Sequence, residues 1–367
     1  MTESYPSLFL PELLKALLDA GADCYLCVSG GKDSQALATA FSRWFRSQRY
    51  AGDLCAIWAD LGRSEWRETR AFVSGLCARL DLPLIIVQRE RGDLLDRFEE
   101  RMQKLSGTGV PFWPTQGQRY CTSDLKRTVC DKRFRLSRLA VSLEGIRASE
   151  SDERAEKEPL TVRRTITGTR YKHLSPDQAI SAYLCDGERE ASRPRQYSLF
   201  DEMTDVTAAQ LPRLALTCYP LFDWEIEEVW AVCGASLEEL EERRLLYRRG
   251  VDQQDAALRE RSLAGWPAHP AYVYGANRLS CSLCILADLQ TLRAGAYHQP
   301  DYYRALVWLE ITSGFPFQPS RWLADVCPEL LTDEQRAALA SLPERQDWLE
   351  RRKRRKTLAM YPGQAGG

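Results

Sequence analysis

No run in this sequence approaches the roughly 18 consecutive apolar residues that a membrane helix needs. Residues 8–18 read as a short amphipathic helix, and the preceding Met1-Thr2-Glu3-Ser4-Tyr5-Pro6 is polar and lacks a secretory pattern. The expectation is a cytoplasmic protein with no membrane partner. An excess of one charge is missing too. The chain has 50 Lys and Arg against 51 Asp and Glu, and a net charge of −1 leaves no global field to gather nucleic acid. Any such binding falls to local basic segments. Internal repeats are absent. What is present is an ordinary globular composition, 44% hydrophobic over 367 residues, enough for one large or two moderate domains. There are also 12 cysteines. In a cytosolic chain they point to buried thiols, metal or catalysis rather than disulfides. Cys24, Cys27, Cys55 and Cys77 fall in strand or helix patterns and are expected as small core residues.

Residues 1–150 alternate strand and helix. Strand-like runs occupy 23–28, 54–59, 82–87 and 139–143, with helical runs at 35–48, 65–80 and 93–105. This rhythm predicts an α/β fold, a twisted parallel sheet with helices on both faces, and a ligand at the carboxyl ends of its strands. Residues 151–215 turn polar and lose periodicity. They read as a solvated insertion carrying Arg163-Arg164, Arg170-Tyr171-Lys172 and an Arg193-Pro194-Arg195 turn. Order returns after 216, with helices expected at 225–233, 237–249, 286–297 and 301–313. A helical tail ends in the basic run 351–356, which reads as a solvated helix end. The expected division is 1–235, a nucleotide-binding domain bearing the insertion, and 236–367, a helical region with a cysteine loop and the basic tail.

The most informative motif is Ser29-Gly30-Gly31-Lys32-Asp33-Ser34, set between the apolar run 24–28 and a helical run. Adjacent glycines let backbone N–H groups approach an anion, and a helix N-terminus adds partial positive charge. Ser29 and Ser34 add hydroxyls and Lys32 a cation. The spacing differs from Walker A, which needs Gly-x-x-x-x-Gly-Lys-Ser/Thr.

Other constellations follow the same logic. Asp60-Leu61-Gly62 closes the second strand, where an acid and a glycine are placed to line a nucleotide pocket. Cys121 lies close before Lys126-Arg127, residues suited to phosphate or sulfate, at the start of a helical pattern. Gly145-Ile146-Arg147 follows the 139–143 strand, another phosphate device. Cys281-x-x-Cys284 is half of a zinc or iron–sulfur site.

Together these motifs resemble the phosphoadenosine-phosphosulfate reductase superfamily of PP-loop proteins. The carrying residues are the 29–34 loop, Asp60-Leu61-Gly62 with Glu68-Thr69, and Tyr120-Cys121 with Lys126-Arg127. Gly145-Ile146-Arg147 with Glu150-Ser151, and Pro220-Leu221-Phe222-Asp223-Trp224 with Val229-Trp230, complete the order across 22–235. The segment 269–284 is similar to an element of the branch that includes the ATP-pyrophosphatase of bacterial DNA phosphorothioation systems. The resemblance implies an adenine-nucleotide α-hydrolase-like fold and ATP as ligand. Ser29, Gly30, Gly31, Lys32, Asp33, Ser34, Asp60, Gly62, Lys126, Arg127, Gly145 and Arg147 would bind it, with Lys32, Asp33 and Arg147 taking part in catalysis and Mg²⁺ bridging phosphate oxygens.

The resemblance also implies a 4Fe-4S cluster on Cys121, Cys281 and Cys284, with the fourth ligand unidentified. Tyr272 stands where a cysteine is expected, and His269, Cys130 and Cys218 are the substitutes. Three cysteines with an open iron, or no cluster, stay open. The implied partners are DNA, a cysteine desulfurase or other sulfur donor, and modification-complex subunits. The implied activity is ATP pyrophosphatase chemistry that adenylates an acceptor for sulfur transfer. The alternatives are an adenylyl-sulfate or phosphoadenylyl-sulfate reductase and a non-catalytic nucleotide-binding subunit of a modification or defence complex. Reductases of the family carry a Glu-Cys-Gly-Leu-His segment near the C-terminus. The last cysteine here is Cys327, in Val326-Cys327-Pro328-Glu329.

Overall fold

The computed structural model describes residues 6–191 and 211–360. The Arg193-Pro194-Arg195 turn and the side chains of the basic run 352–356 lie outside the described residues. Two compact units divide the chain. One comprises residues 1–60, 68–88 and 126–273, the other residues 61–67, 89–125 and 274–367.

The first unit holds a six-stranded sheet. Its strands are β1 (Asp23–Cys27), β2 (Leu54–Ala59), β3 (Leu84–Val87), β4 (Leu139–Leu143), β5 (Leu160–Val162) and β6 (Leu214–Cys218). Their order is β3-β2-β1-β4-β6-β5. All neighbours pair in parallel except β5, which runs antiparallel to β6 at the edge. The expected parallel α/β sheet is therefore present, with one antiparallel strand added. Residues of β4 and β6 are buried throughout, as suits central strands covered on both faces. Helices α1 (Glu12–Asp19), α2 (Lys32–Gln48) and α3 (Thr69–Arg79) belong to this unit. One core cluster joins Tyr25, Cys55, Ile57, Ala140 and Ala215 of the strands to Val129, Cys130 and Phe134 of helix Thr128–Phe134.

Residues 151–215 differ from the solvated insertion that their composition predicts. Leu160–Val162 and Leu214–Cys218 are strands, and Pro176–Ala191 is a helix. Arg163, a solvated charge by sequence, is tied into the sheet. Its Nε donates to Asp131 Oδ1 (2.6 Å) and its Nη1 to Thr217 Oγ1 (3.2 Å), and its guanidinium lies over the Phe134 ring. An arginine so paired reads as polar in sequence while serving as an anchor for the edge strand.

The second unit is helical around one apolar cluster that includes Leu94, Phe98, Trp113, Tyr120, Leu292, Tyr303, Leu306, Phe317 and Trp322. It contains α4 (Leu94–Leu105), whose N-cap Asp93 accepts from the amides of Leu95 and Asp96. Helices Leu289–His298, Pro300–Ser313 and Asp333–Ser341 follow. Glu310, fully buried, accepts from the amides of Phe317 (2.6 Å), Leu323 (2.7 Å) and Ala324 (3.0 Å), and so organises the turn-rich segment after Pro300–Ser313. No described helix is long and apolar enough to cross a membrane.

Candidate phosphate-binding site

The strand order reverses between β1 and β4. From β1 the chain moves outward to β2 and β3, while β4 pairs on the other side of β1. In open α/β sheets a ligand crevice forms outside the carboxyl ends of strands at such a switch point. The 29–34 loop follows β1 and the 145–147 segment follows β4, so the two anion-binding motifs meet there.

Local geometry fits the motif. Gly30 takes φ +79°, a conformation that favours glycine, and Gly31 caps the N-terminus of α2. Ser34 Oγ accepts from the Ser29 amide (3.1 Å) and donates to the Gly31 carbonyl (2.9 Å), fixing the turn. The first amides of a helix have no partner within it. Among the described residues, no protein group accepts from the amides of Gly30, Gly31, Asp33 or Ser34. Gly30, Gly31 and Ser34 are buried residues. Buried amides without acceptors are costly unless something fills the role, and an anion does so at a helix N-terminus.

The charged groups are interlocked. Lys32 Nζ donates to Asp33 Oδ2 (2.6 Å) and Arg147 Nε to Asp33 Oδ1 (2.8 Å). Burial raises the Asp33 pKa, but Lys32 and Arg147 outweigh it and hold the carboxyl below its ordinary range. One ionised carboxylate thus spaces two cations beside the amides. Arg147 is itself buried at 3% exposure and is held by Ser149 Oγ (2.7 Å) and the Trp224 carbonyl (3.4 Å). The 220–224 segment therefore has a physical role, positioning the arginine. Gly145 packs onto the loop, where a Cβ would lie 2.7 Å from the Asp33 carbonyl oxygen.

The other expected residues have their own settings. Asp60 ends β2, and its Oδ2 accepts from Arg70 (2.6 Å) and Gln88 (2.8 Å). Lys126 and Arg127 close a π-helical turn, Ser123–Arg127, which leads directly into helix Thr128–Phe134, in keeping with the helical pattern expected there. Burial pushes Tyr219 up to about 12, Glu144 adds to it, and Arg163 and Arg127 pull against it. Arg127 therefore lies near the end of β6. Gly62, Cys121, Cys281 and Cys284 fall in the second unit.

There, Cys121 and Cys281 pack against the same apolar cluster, and Ser282 donates through N–H and Oγ to the Ser64 carbonyl (2.9 and 3.1 Å). Among the described residues no group of three or more His, Cys, Asp or Glu side chains is arranged to hold a metal ion. The substitutes for a fourth ligand are engaged elsewhere. His269 Nδ1 accepts from the Ala271 amide (3.1 Å), which leaves Nε2–H to donate to Thr69 Oγ1 (3.2 Å). Cys130 sits in the sheet core, and Cys218 lies in β6 with its thiol on the Phe9 carbonyl. Tyr272 is engaged at the phosphate loop, where its hydroxyl accepts from the Lys32 amide (2.9 Å). No cysteine is in a disulfide among the described residues.

Sequence reasoning missed Tyr272 as a neighbour of the loop, a contact that links residues 240 apart. The one available signal was its place in an aromatic run between the 220–230 motif and the cysteine pair.

Comparison with known proteins adds the family. Residues 23–252 match the family described as the phosphoadenosine phosphosulfate reductase domain. Among solved structures, the chain is similar to phosphoadenylyl-sulfate (PAPS) reductase from Candida auris, in its phosphate complex. The match is at 10% identity and a TM-score of 0.32, covering 61% of this chain and 77% of that one. No curated protein matches this chain.

Proposed function

The chain belongs to the phosphoadenosine phosphosulfate reductase domain family, and from that membership we propose that it is an ATP pyrophosphatase of the family, activating an acceptor for sulfur transfer. The carrying observation is the row of unpartnered amides at Gly30, Gly31, Asp33 and Ser34, flanked by Lys32 and Arg147. Such a cradle suits a polyphosphate. An acceptor oxygen attacks the α-phosphorus, the α–β bridge breaks, and pyrophosphate leaves while the acceptor carries AMP. A sulfur nucleophile then displaces AMP.

The loop amides and Lys32 would hold the departing β and γ phosphates and offset their growing charge. Arg147 would approach the α-phosphate, with Lys126 and Arg127 on the acceptor or product anion. Asp33 keeps the two loop cations apart and oriented. The catalytic power would be positional and electrostatic. Both Asp33 oxygens and one oxygen of Asp60 are already hydrogen-bonded, so Mg²⁺ would ride on the phosphate oxygens of the nucleotide and neutralise them.

A DNA backbone phosphate as acceptor, with a cysteine desulfurase or another donor supplying sulfur, rests on the resemblance of 269–284 alone. Against the reductase reading stands the burial of Cys327, which is 1% exposed in the apolar core. The test is pyrophosphate release from ATP, with and without DNA, by the protein and by Lys32→Ala. ATP-dependent release that is lost in the variant supports the reading. No release under any condition, together with sulfite formation from phosphoadenylyl sulfate, overturns it.

A further inference from the structure

The amide of Lys32 stands out within the phosphate loop. Its neighbours on either side have no protein acceptor, whereas it donates to Tyr272 Oη at 2.9 Å. Lys32 is the first residue of α2, so this N–H belongs to the set that an anion would use. The phenol is fixed from several sides. Tyr272 is 1% exposed, and its ring meets Trp230 edge-on with centroids 5.1 Å apart. Its carbonyl accepts from Arg244 Nε (2.8 Å). The segment that carries it is tied to α2 by Gln35 Nε2 on the Pro267 carbonyl (3.0 Å) and to the start of α3 by Thr69 with His269 (3.2 Å).

We propose that the Tyr272 hydroxyl is a built-in occupant of the phosphate loop, standing where a phosphate oxygen would otherwise sit, and that it sets the extent of the anion site. The anion is thereby confined to the amides of Gly30, Gly31, Asp33 and Ser34. The inference rests on the phosphate-binding reading of the loop and adds a positioning and specificity residue to it. Its consequence has a definite sign. Replacing the phenol by a phenyl ring leaves the buried Lys32 N–H without an acceptor in the ligand-free protein. A bound phosphate oxygen can restore that bond, so the bound state loses less than the free state.

The experiment titrates inorganic pyrophosphate and ATP calorimetrically into the full chain, as wild type, Tyr272→Phe and Thr69→Val, with melting temperatures measured with and without pyrophosphate. Tyr272→Phe should bind pyrophosphate about ten-fold tighter, as expected for satisfying one buried donor, and show a larger ligand-induced rise in melting temperature. Thr69→Val loosens the same segment but leaves the phenol in place, and should keep wild-type affinity. Unchanged or weaker binding by Tyr272→Phe, with wild type binding normally, overturns this inference alone. An equal gain in Thr69→Val also overturns it, because loosening of the segment would then suffice. If neither wild type nor Tyr272→Phe binds pyrophosphate or ATP, the phosphate reading of the loop falls and this inference falls with it.

Discussion

Gly145 lies against Asp33 so closely that a Cβ on it would stand 2.7 Å from the Asp33 carbonyl oxygen and 3.1 Å from the Ser34 amide nitrogen. The two residues follow adjacent parallel strands, and their contact locks the β4 exit onto the β1 loop. The opposing atoms are backbone, which cannot swing away. Gly145→Ala should therefore shift the loop or the arginine that follows it. The expected cost is about 1–3 kcal/mol of stability, with weaker ATP binding because the amide row and Arg147 are displaced together. Thermal denaturation and calorimetric titration of the variant check both effects.

Lys32 and Ser34 act on the loop in different ways. Lys32 supplies charge next to Asp33, and Ser34 supplies the hydroxyl that closes the turn. Lys32→Ala should lower ATP affinity about ten-fold or more, the effect of losing a charge-assisted contact. Ser34→Ala should also weaken ATP binding and should lower the melting temperature as well, since it leaves the Ser29 amide without its acceptor. Unchanged calorimetric affinity in both variants would remove the phosphate assignment.

Much of this arrangement was legible in the sequence for identifiable reasons. The strands β1, β2 and β4 are apolar runs bounded by turn residues, and the anion motifs sit at their ends, so the placement of the loop and of Arg147 could be read in advance. The strand β6 could not, because Leu214–Cys218 adjoins a long polar stretch and carries no alternation of its own. The capping of Lys32 by Tyr272 was invisible for another reason. A phenol gives no sign of which distant amide it will meet, and the pairing is made by the fold. Nor does spacing show that His269 uses both ring nitrogens in hydrogen bonds.

His269 makes stability depend on acid. It is fully buried, and burial lowers its pKa to about 3. The Ala271 amide donates to Nδ1, so protonation there would break that bond. Above the ordinary histidine range both folded and unfolded chains hold the ring neutral, and stability does not change with pH through this group. Below about pH 6.5 the unfolded chain takes up a proton that the folded chain refuses. Stability should then fall by about 1.4 kcal/mol per pH unit from this residue, down toward pH 3. Urea unfolding between pH 7 and pH 4.5 measures the slope. In His269→Gln the slope should be shallower by about one proton, and an identical slope in both proteins would show that His269 does not carry it.

Cys327 separates the two enzymatic readings of the family. A reductase needs a thiolate that reaches the sulfur of a bound nucleotide and is then released by exchange with a carrier. Cys327 meets neither requirement. Burial pushes its thiol up to about 12, Glu329 adds to this, and Arg293 only partly offsets it. The residue is 1% exposed and packed in the apolar cluster, and its amide and carbonyl both bond to the Tyr303 hydroxyl. We expect no sulfite from adenylyl sulfate or phosphoadenylyl sulfate in the presence of thioredoxin and a reductant. Cys327→Ser should leave pyrophosphate release per folded molecule intact while lowering the melting temperature, because it places a hydroxyl in an apolar pocket. Robust sulfite formation that disappears in Cys327→Ser would require this segment to open and expose its thiol, and would assign the chain to the reductases.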